Sequence, residues 1–540
     1  MNRTDRLALS HLWVAIVAFG VAAAMAFMQA LSRASLDLPW RSAKMYYLSV
    51  TAHGVLMALV FTTFFIMAFG YVVVTRALDR PPATPGLAWA GFWIALAGTL
   101  AAVWAILTGR ATVLYTFYPP LKAHPAFYIG LTLVVVGSWC WAAVMLLSYR
   151  AWRKEHPDAP APLVMHGMLA TVIVWLIATV GVAAEMLLQL IPWSLGWSKT
   201  IDPVLARMLF WYFGHPLVYF WLLPAYVIWY TVLPRVAGGK LFSDPLARLV
   251  FVLFIVLSTP VGFHHQFMDP GVSAGWKLLH TFLTMGILFP SFVTAFTVTA
   301  SMEVAGRMQG ARGWLDWLGK LPWRDPLFSS VALSMILFAF GGIGGAINAS
   351  FGMNAVVHNT AWIQGHFHLT VGSAAALTFM GASYWLLPRL TGRELELALL
   401  ARVQPYLWFL GMLLFSFSNH ITGLMGMPRR IYDASYDGAT AAQAWRGLTE
   451  VSAAGGLLLF ASAGFFILVM VGTALAGKRR EPEPVLWTEP LEPVSPRRTL
   501  LDRYGLWAVV AVILVLIAYA YPLWAHLRMA RFGSPGFSPF

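Results

Sequence analysis

The chain has 540 residues, 59% of them hydrophobic and only 11% charged, with a mean hydropathy of +0.71 and a formal net charge of +14. A soluble protein of this length covers its surface with about 25% charged residues, so a soluble globular fold is excluded. The basic excess sits in short loops between apolar blocks, the pattern of membrane orientation and headgroup contact rather than of nucleic-acid binding.

The apolar residues fall into blocks of about 20, the length that crosses a roughly 30 Å hydrocarbon core, and the alternation of a membrane β-barrel is absent. The chain is therefore predicted to be an all-α polytopic membrane protein of about 13 transmembrane helices. Taken in order, the spans are 11–30, 47–75, 87–108, 126–147, 164–191, 205–233, 246–265, 276–301, 327–348, 360–388, 402–424, 451–476 and 504–524. The first follows Arg3 and Arg6 and could pass for a secretory leader, but the many spans behind it make it a retained helix. The fourth holds Cys140, the single cysteine, which can form neither an intrachain disulfide nor a two-thiolate metal site and reads as a small core residue. The fifth holds Glu185, for which a structural hydrogen-bonding role is expected. The polar stretch 477–503, with Lys478, Arg479 and Arg480, reads as a solvated linker before the last helix, and no separate soluble domain is evident across 1–540. Loops on the N-terminal side carry roughly two-thirds of the basic residues, which predicts a cytoplasmic N-terminus, a cytoplasmic 477–503 linker and an external C-terminus.

Histidine within a span is costly and usually functional. Six of the 14 histidines stand out: His53 in the second span, His215 in the sixth, His264 and His265 at the end of the seventh, and His366 and His368 near the start of the tenth. At about 1.5 Å of rise per residue, all six fall in the outer half of the membrane. One such imidazole is most simply a hydrogen-bonded core residue; six from four distant spans at one level read as metal ligands in a helix bundle. Positions i and i+2 on a helix are separated by about 200°, so His366 and His368 face opposite sides and serve different metals. This leaves a partition of His53 with His368, His366 alone, and His215 with His264 and His265. Two axial imidazoles saturate a haem iron, one leaves a position open for dioxygen, and three histidines suit copper. Tyr219 is one helical turn from His215 on the same face, placed to donate a proton and an electron.

The segments TAHGVLMALVF around His53, FGHPLVYFWLLPAY around His215, STPVGFHHQF around His264 and HNTAWIQGHFHLTVG around His366 resemble subunit I of the haem–copper oxidases, from about the second span to Arg430. The resemblance is nearest to the B family, the ba-type cytochrome c oxidases. It implies a terminal respiratory oxidase that reduces dioxygen to water, with electrons entering at a low-spin haem and proton uptake and pumping coupled to the reaction. It further implies His53 and His368 on the low-spin haem, His366 on the high-spin haem, and His215, His264 and His265 on one copper, with Tyr219 joined covalently to His215. The low-spin haem would be b-type and the high-spin haem a- or o-type. Implied partners are dioxygen, the lipid of a bacterial or archaeal inner membrane, and a second subunit that carries a dinuclear copper centre and relays electrons from cytochrome c or a similar donor; Cys140 alone cannot build such a centre.

Arg429 and Arg430 read either as topology charges or, as the resemblance favours, as partners of the haem propionates, with His358 and Asn354 at a similar level. The family often carries a carboxylate where Asn354 stands, which weakens any proton-loading role there. For protons, Tyr219, Tyr226 and Tyr230 share about one face of the sixth helix and descend about 16 Å, and Ser291 and Thr294 add hydroxyls from the eighth. Together they resemble the single proton pathway of the B family; an aromatic belt with packing hydroxyls is the plainer reading. A-family members carry glutamate two residues after the first copper histidine, and here that position is Leu217. Two alternatives remain: a nitric oxide reductase of the same superfamily, which Tyr219 and the absence of nearby glutamates oppose, and a non-redox channel or transporter, which would bind no haem.

Overall fold

In a computed structural model the described residues are 2–36, 42–481, 483–529 and 533–540. Thirteen apolar helical segments form one bundle. They are α1 (Arg3–Arg33), α2 (Ala43–Ala77), α3 (Pro85–Leu107), α4 (Pro125–Glu155), α5 (Leu163–Ser194), α6 (Pro203–Val236), α7 (Asp244–Ser258), α8 (Ala274–Met308), α9 (Pro326–Ala349), α10 (362–391), α11 (Ala398–Leu424), α12 (Arg446–Ala476) and α13 (Tyr504–Arg528). Eleven of these are long and apolar enough to cross a membrane unaided. The exceptions are α7, whose 15 residues rise only about 22 Å, and α10. The only sheet among the described residues pairs β1 (Thr200–Ile201) with β2 (Ser534–Pro535).

Helix starts follow local chemistry. Asp202 caps α6, Ser243 caps α7 and Asp325 caps α9, each with proline at the first turn, where the missing N–H costs nothing. The seventh segment corrects the expected 246–265 span: the helix stops at Ser258 because Pro260 cannot continue it. Residues Phe263–Gln266 then form a separate 3-10 turn, so His264 and His265 stand on a turn and not on a transmembrane helix.

Three π-helical stretches interrupt otherwise regular helices: Leu56–Phe61 in α2, Met186–Leu190 in α5 and His368–Ala375 in α10. Such bulges concentrate at functional sites, and two of these flank or begin at a candidate ligand, His53 or His368.

The described residues of 477–503 are mostly exposed, yet the segment is tied along the bundle. Thr488 N–H donates to Thr231 O at 2.7 Å, Leu241 N–H donates to Glu489 O at 2.9 Å, and Glu394 N–H donates to Lys478 O at 2.9 Å. It ends on Asp502, fully buried, which pairs with Arg248 at 3.3 Å; Arg248 also pairs with Asp244 at 2.6 Å. A buried cation between two carboxylates avoids the cost of an uncompensated charge.

Helices α3 and α4 approach through glycines. A Cβ on Gly98 would lie 2.4 Å from Gly130 O, and one on Gly130 would lie 2.6 Å from Gly98 O; Gly91 and Gly137 repeat this two turns away. Small residues permit such backbone contact in membranes. Gly130→Leu should therefore force the pair apart and lower stability by about 1–3 kcal/mol, seen as a reduced midpoint of thermal unfolding in detergent; an unchanged midpoint would show that the contact is dispensable.

Candidate metal centre

Two large cavities lie side by side in the bundle. The first, about 1670 Å³ with its open mouth, is lined by His53, His368, Met57, Phe61, Trp408 and Phe415 among others. The second, about 1360 Å³, is lined by His215, Tyr219, His264, His265, His366 and Ser291 among others. Tyr115, Ile363, Phe367 and Arg429 line both, so the start of α10 is the shared wall, with His366 facing one side and His368 the other. All six histidines singled out in the sequence thus line these two adjoining cavities.

In the first cavity the rings of His53 and His368 lie parallel, with centroids 6.2 Å apart and planes at 6°. One metal–nitrogen bond of about 2 Å on each side, plus the half-width of each ring, gives about 6 Å, the span of one metal between two imidazoles. The Nδ1 of His53 donates to Ala22 O at 3.1 Å and that of His368 to Gln364 O at 2.8 Å, which leaves both Nε2 atoms for the cavity. A flat macrocycle with one central metal fits between them.

In the second cavity His366 has no parallel imidazole partner among the described residues of the kind that His53 has in His368. Its Nδ1 donates to Gly341 O at 3.0 Å, and a Cβ on Gly344 would lie 2.8 Å from that nitrogen. Gly344 of α9 thus clears space for this ring. This geometry fits a metal held on one face and open on the other.

Across the same cavity, ligand nitrogens of His215, His264 and His265 all lie within 4.8 Å of one another, the one such cluster of three or more potential ligands among the described residues. His215 Nδ1 is 3.2 Å from His265 Nε2, a separation that one ion with bonds of about 2 Å can bridge. Thr284 donates its hydroxyl proton to His280 O at 2.6 Å and so accepts from His264 Nδ1 at 3.1 Å, directing His264 Nε2 inward. Trp211, one turn before His215, stacks on His265 at 3.8 Å and 8°. The Tyr219 ring is 5.2 Å from that of His215. A neutral three-imidazole set with no carboxylate suits copper or zinc.

Cations gather at these cavities. Arg429 lines both and donates from Nε to Asn359 Oδ1 at 3.1 Å; Arg430 lines the first and lies over the Tyr115 ring at 5.4 Å. Burial, with Arg430 alongside, pushes the Arg429 guanidinium down to about 10. Burial and the charges of Arg429, Arg207 and Lys277 push the His358 imidazole down to about 4. His358 and Asn354 line the second cavity; Asn354 Nδ2 donates to Asn348 O and Oδ1, at 2.7 and 2.8 Å, and its own Oδ1 has no partner among the described residues.

Of the predicted hydroxyl chain, Tyr230 donates to Thr294 Oγ1 at 2.8 Å. Tyr226 lies beside Ser291, though its hydroxyl makes no hydrogen bond of good geometry among the described residues, a place that a bridging water would suit. Glu185 is fully buried, and neither carboxyl oxygen has a hydrogen-bond partner among the described residues. Gln189 Nε2 and Trp193 Nε1, on the following turns, likewise have no hydrogen-bond partner among the described residues.

Sequence reasoning missed Arg33, which lines the first cavity and donates to Gln364 Oε1 at 2.6 Å, and Thr284, Trp211 and the glycines 341–345. The GGIGG run inside a membrane span was a legible sign of close approach; nothing local marked Arg33, which sits at a helix end where basic residues are ordinary.

Comparison with known proteins agrees with this geometry. The family model described as "Cytochrome C and Quinol oxidase polypeptide I" matches residues 6–458. The chain is 45% identical over 498 residues to cytochrome c oxidase subunit 1 of Thermus thermophilus, covering 89% of this chain and 87% of that one. It is 27% identical over 491 residues to cytochrome c oxidase subunit 1 of Synechocystis, covering 83% and 84%. A solved structure described as a heme-copper terminal oxidase dimer superposes with a TM-score of 0.95 at 38% identity, covering 100% of this chain and 96% of that one. A nitric oxide reductase or a non-redox channel is not favoured. The chain belongs to the cytochrome c and quinol oxidase polypeptide I family and is a haem–copper oxidase subunit I, the multi-pass catalytic subunit of a terminal respiratory oxidase.

Proposed function

We propose that this chain is the catalytic subunit of a B-family, ba-type oxidase that passes electrons from cytochrome c to dioxygen and forms water. His53 and His368 hold a low-spin b-type haem, His366 holds a high-spin a- or o-type haem, and His215, His264 and His265 hold one copper. The observation that carries this reading is the parallel His53–His368 pair backed against a three-imidazole cluster, with one further imidazole between them. When bound, the two haems and the copper supply the electron transfer and the metals at which dioxygen is reduced.

The protein's own groups hold, orient and protonate. Carbonyl and hydroxyl partners on Nδ1 fix the ring orientation of His53, His368, His366 and His264. Arg429 and Arg430 neutralise haem propionates, with His358 and Asn354 beside them. Protons enter along Thr294, Tyr230, Ser291 and Tyr226 and reach Tyr219 Oη, next to His215. The Tyr230–Thr294 bond supports this route, and Leu217, in place of the A-family glutamate, supports a single pathway. Tyr219 and His215 are joined covalently in the mature enzyme.

A second subunit with a dinuclear copper centre delivers electrons from outside, since one cysteine cannot build that centre in this chain. Residues 1–540 form a single membrane domain in a bacterial or archaeal inner membrane. The N-terminus and the 477–503 linker face the cytoplasm, and the C-terminus lies outside.

A reduced-minus-oxidised spectrum with pyridine haemochrome analysis of the purified oxidase tests the cofactors: two haems of different type per chain are expected, and a preparation without haem would refute the assignment. His368→Ala should remove the low-spin signal and leave the high-spin haem in place. Tyr230→Phe removes a hydrogen bond worth about 1 kcal/mol and should slow turnover several-fold at unchanged haem content; turnover equal to wild type would remove Tyr230 from the proton route.

A further inference from the structure

A histidine outside the ligand set holds the turn on which the histidine pair stands. His280, on α8, is fully buried. Its Nδ1 accepts N–H bonds from Gly262 at 3.2 Å and Phe263 at 3.3 Å, at the entry of the Phe263–Gln266 turn. Amides at the start of a helical turn lack partners within it, and buried ones must find partners elsewhere. With Nδ1 accepting, the ring proton lies on Nε2, which donates to Ala518 O on α13 at 3.3 Å. One tautomer satisfies all three contacts.

The surroundings leave the turn no slack. The Phe263 ring lies 4.4 Å from that of His280, and Tyr519 of α13 packs 4.9 Å from Phe263 and 5.1 Å from His280. A Cβ on Gly262 would lie 2.2 Å from Tyr519 Oη and 2.5 Å from Trp211 O. One turn along α8, Thr284 bonds both His280 O and His264 Nδ1. The backbone before the histidine pair and the side chain of its first member are thus both fixed from one helix, itself braced on the last.

We infer that His280 is a positioning residue for the copper ligands: by holding the amides of Gly262 and Phe263 it sets His264 and His265 at the height of His215, and through Ala518 it makes α13 a working part of the metal centre. This rests on the reading of His215, His264 and His265 as copper ligands.

The test uses the complete oxidase purified with its partner subunits as wild type, His264→Ala, His280→Ala, His280→Asn and His280→Gln. Copper per two haems is measured by elemental mass spectrometry, and amide hydrogen exchange is followed across 259–268. The His264→Ala enzyme reports copper held elsewhere in the complex; copper equal to wild type there would overturn the ligand reading itself. Given a loss in that enzyme, His280→Ala should lose the same copper, keep both haems and raise exchange at 262–263 by about tenfold or more. His280→Asn sets an amide oxygen where Nδ1 was and should restore copper and protection. Wild-type copper and exchange in His280→Ala would overturn the inference. If His280→Ala does not assemble, the amides decide: Asn reaches the Nδ1 position and Gln the Nε2 position, so Asn should retain more copper than Gln, and equal copper in both would overturn it.

Discussion

Everything in this centre depends on what happens to the second nitrogen of each imidazole. A ring in an apolar bundle carries two polar nitrogens, and one left without a partner costs several times what a hydrogen bond gains. The bundle answers by tying Nδ1 to a fixed acceptor in four cases: Ala22 O for His53, Gln364 O for His368, Gly341 O for His366 and the Thr284 hydroxyl for His264. Each tie selects a tautomer and turns Nε2 toward a cavity. His215 and His265 are not tied in this way: His215 Nδ1 meets His265 Nε2 at 3.2 Å, so His215 presents the opposite nitrogen, and its own Nε2 has no hydrogen-bond partner among the described residues.

Helix packing supplies the acceptors and the space. The carbonyl that receives His366 belongs to the glycine-rich run of α9, where a side chain at Gly344 would collide with the ring. The carbonyl that receives His53 comes from α1, the first helix, and the one that receives His368 from its own helix one turn earlier. The π-helical stretch that begins at His368 shifts the register of α10 below the ligands, with the Ser373 hydroxyl donating to His368 O at 3.1 Å. The two cavities are therefore consequences of backbone geometry as much as of side-chain chemistry.

The electrostatics of the site are one-sided. Arg33, Arg429 and Arg430 line the first cavity and Arg429 reaches the second, while the ligand nitrogens themselves are neutral. Buried cations need anions or acceptors, and here amides of Gln364 and Asn359 and the face of Tyr115 satisfy only part of that need. An anionic cofactor edge is the natural complement. Glu185 is the reverse case, a buried carboxyl away from these cations with neither oxygen bonded among the described residues.

What could be read without a fold was everything that depends on the helix repeat. Apolar block length located thirteen helices, and the 3.6-residue period placed His366 and His368 on opposite faces and Tyr219 on the face of His215, because these relations hold within one rigid element. Tertiary structure alone decided the rest. That His53 meets His368 across 6.2 Å, that the His264–His265 pair sits on a turn released by Pro260, that Arg33 enters a cavity and that Tyr230 meets Thr294 all depend on how helices are rotated and raised against each other. A helix's own period fixes which residues share a face, but not which neighbour that face meets; packing at the glycine contacts and between large side chains settles that, and it is not written in any one segment.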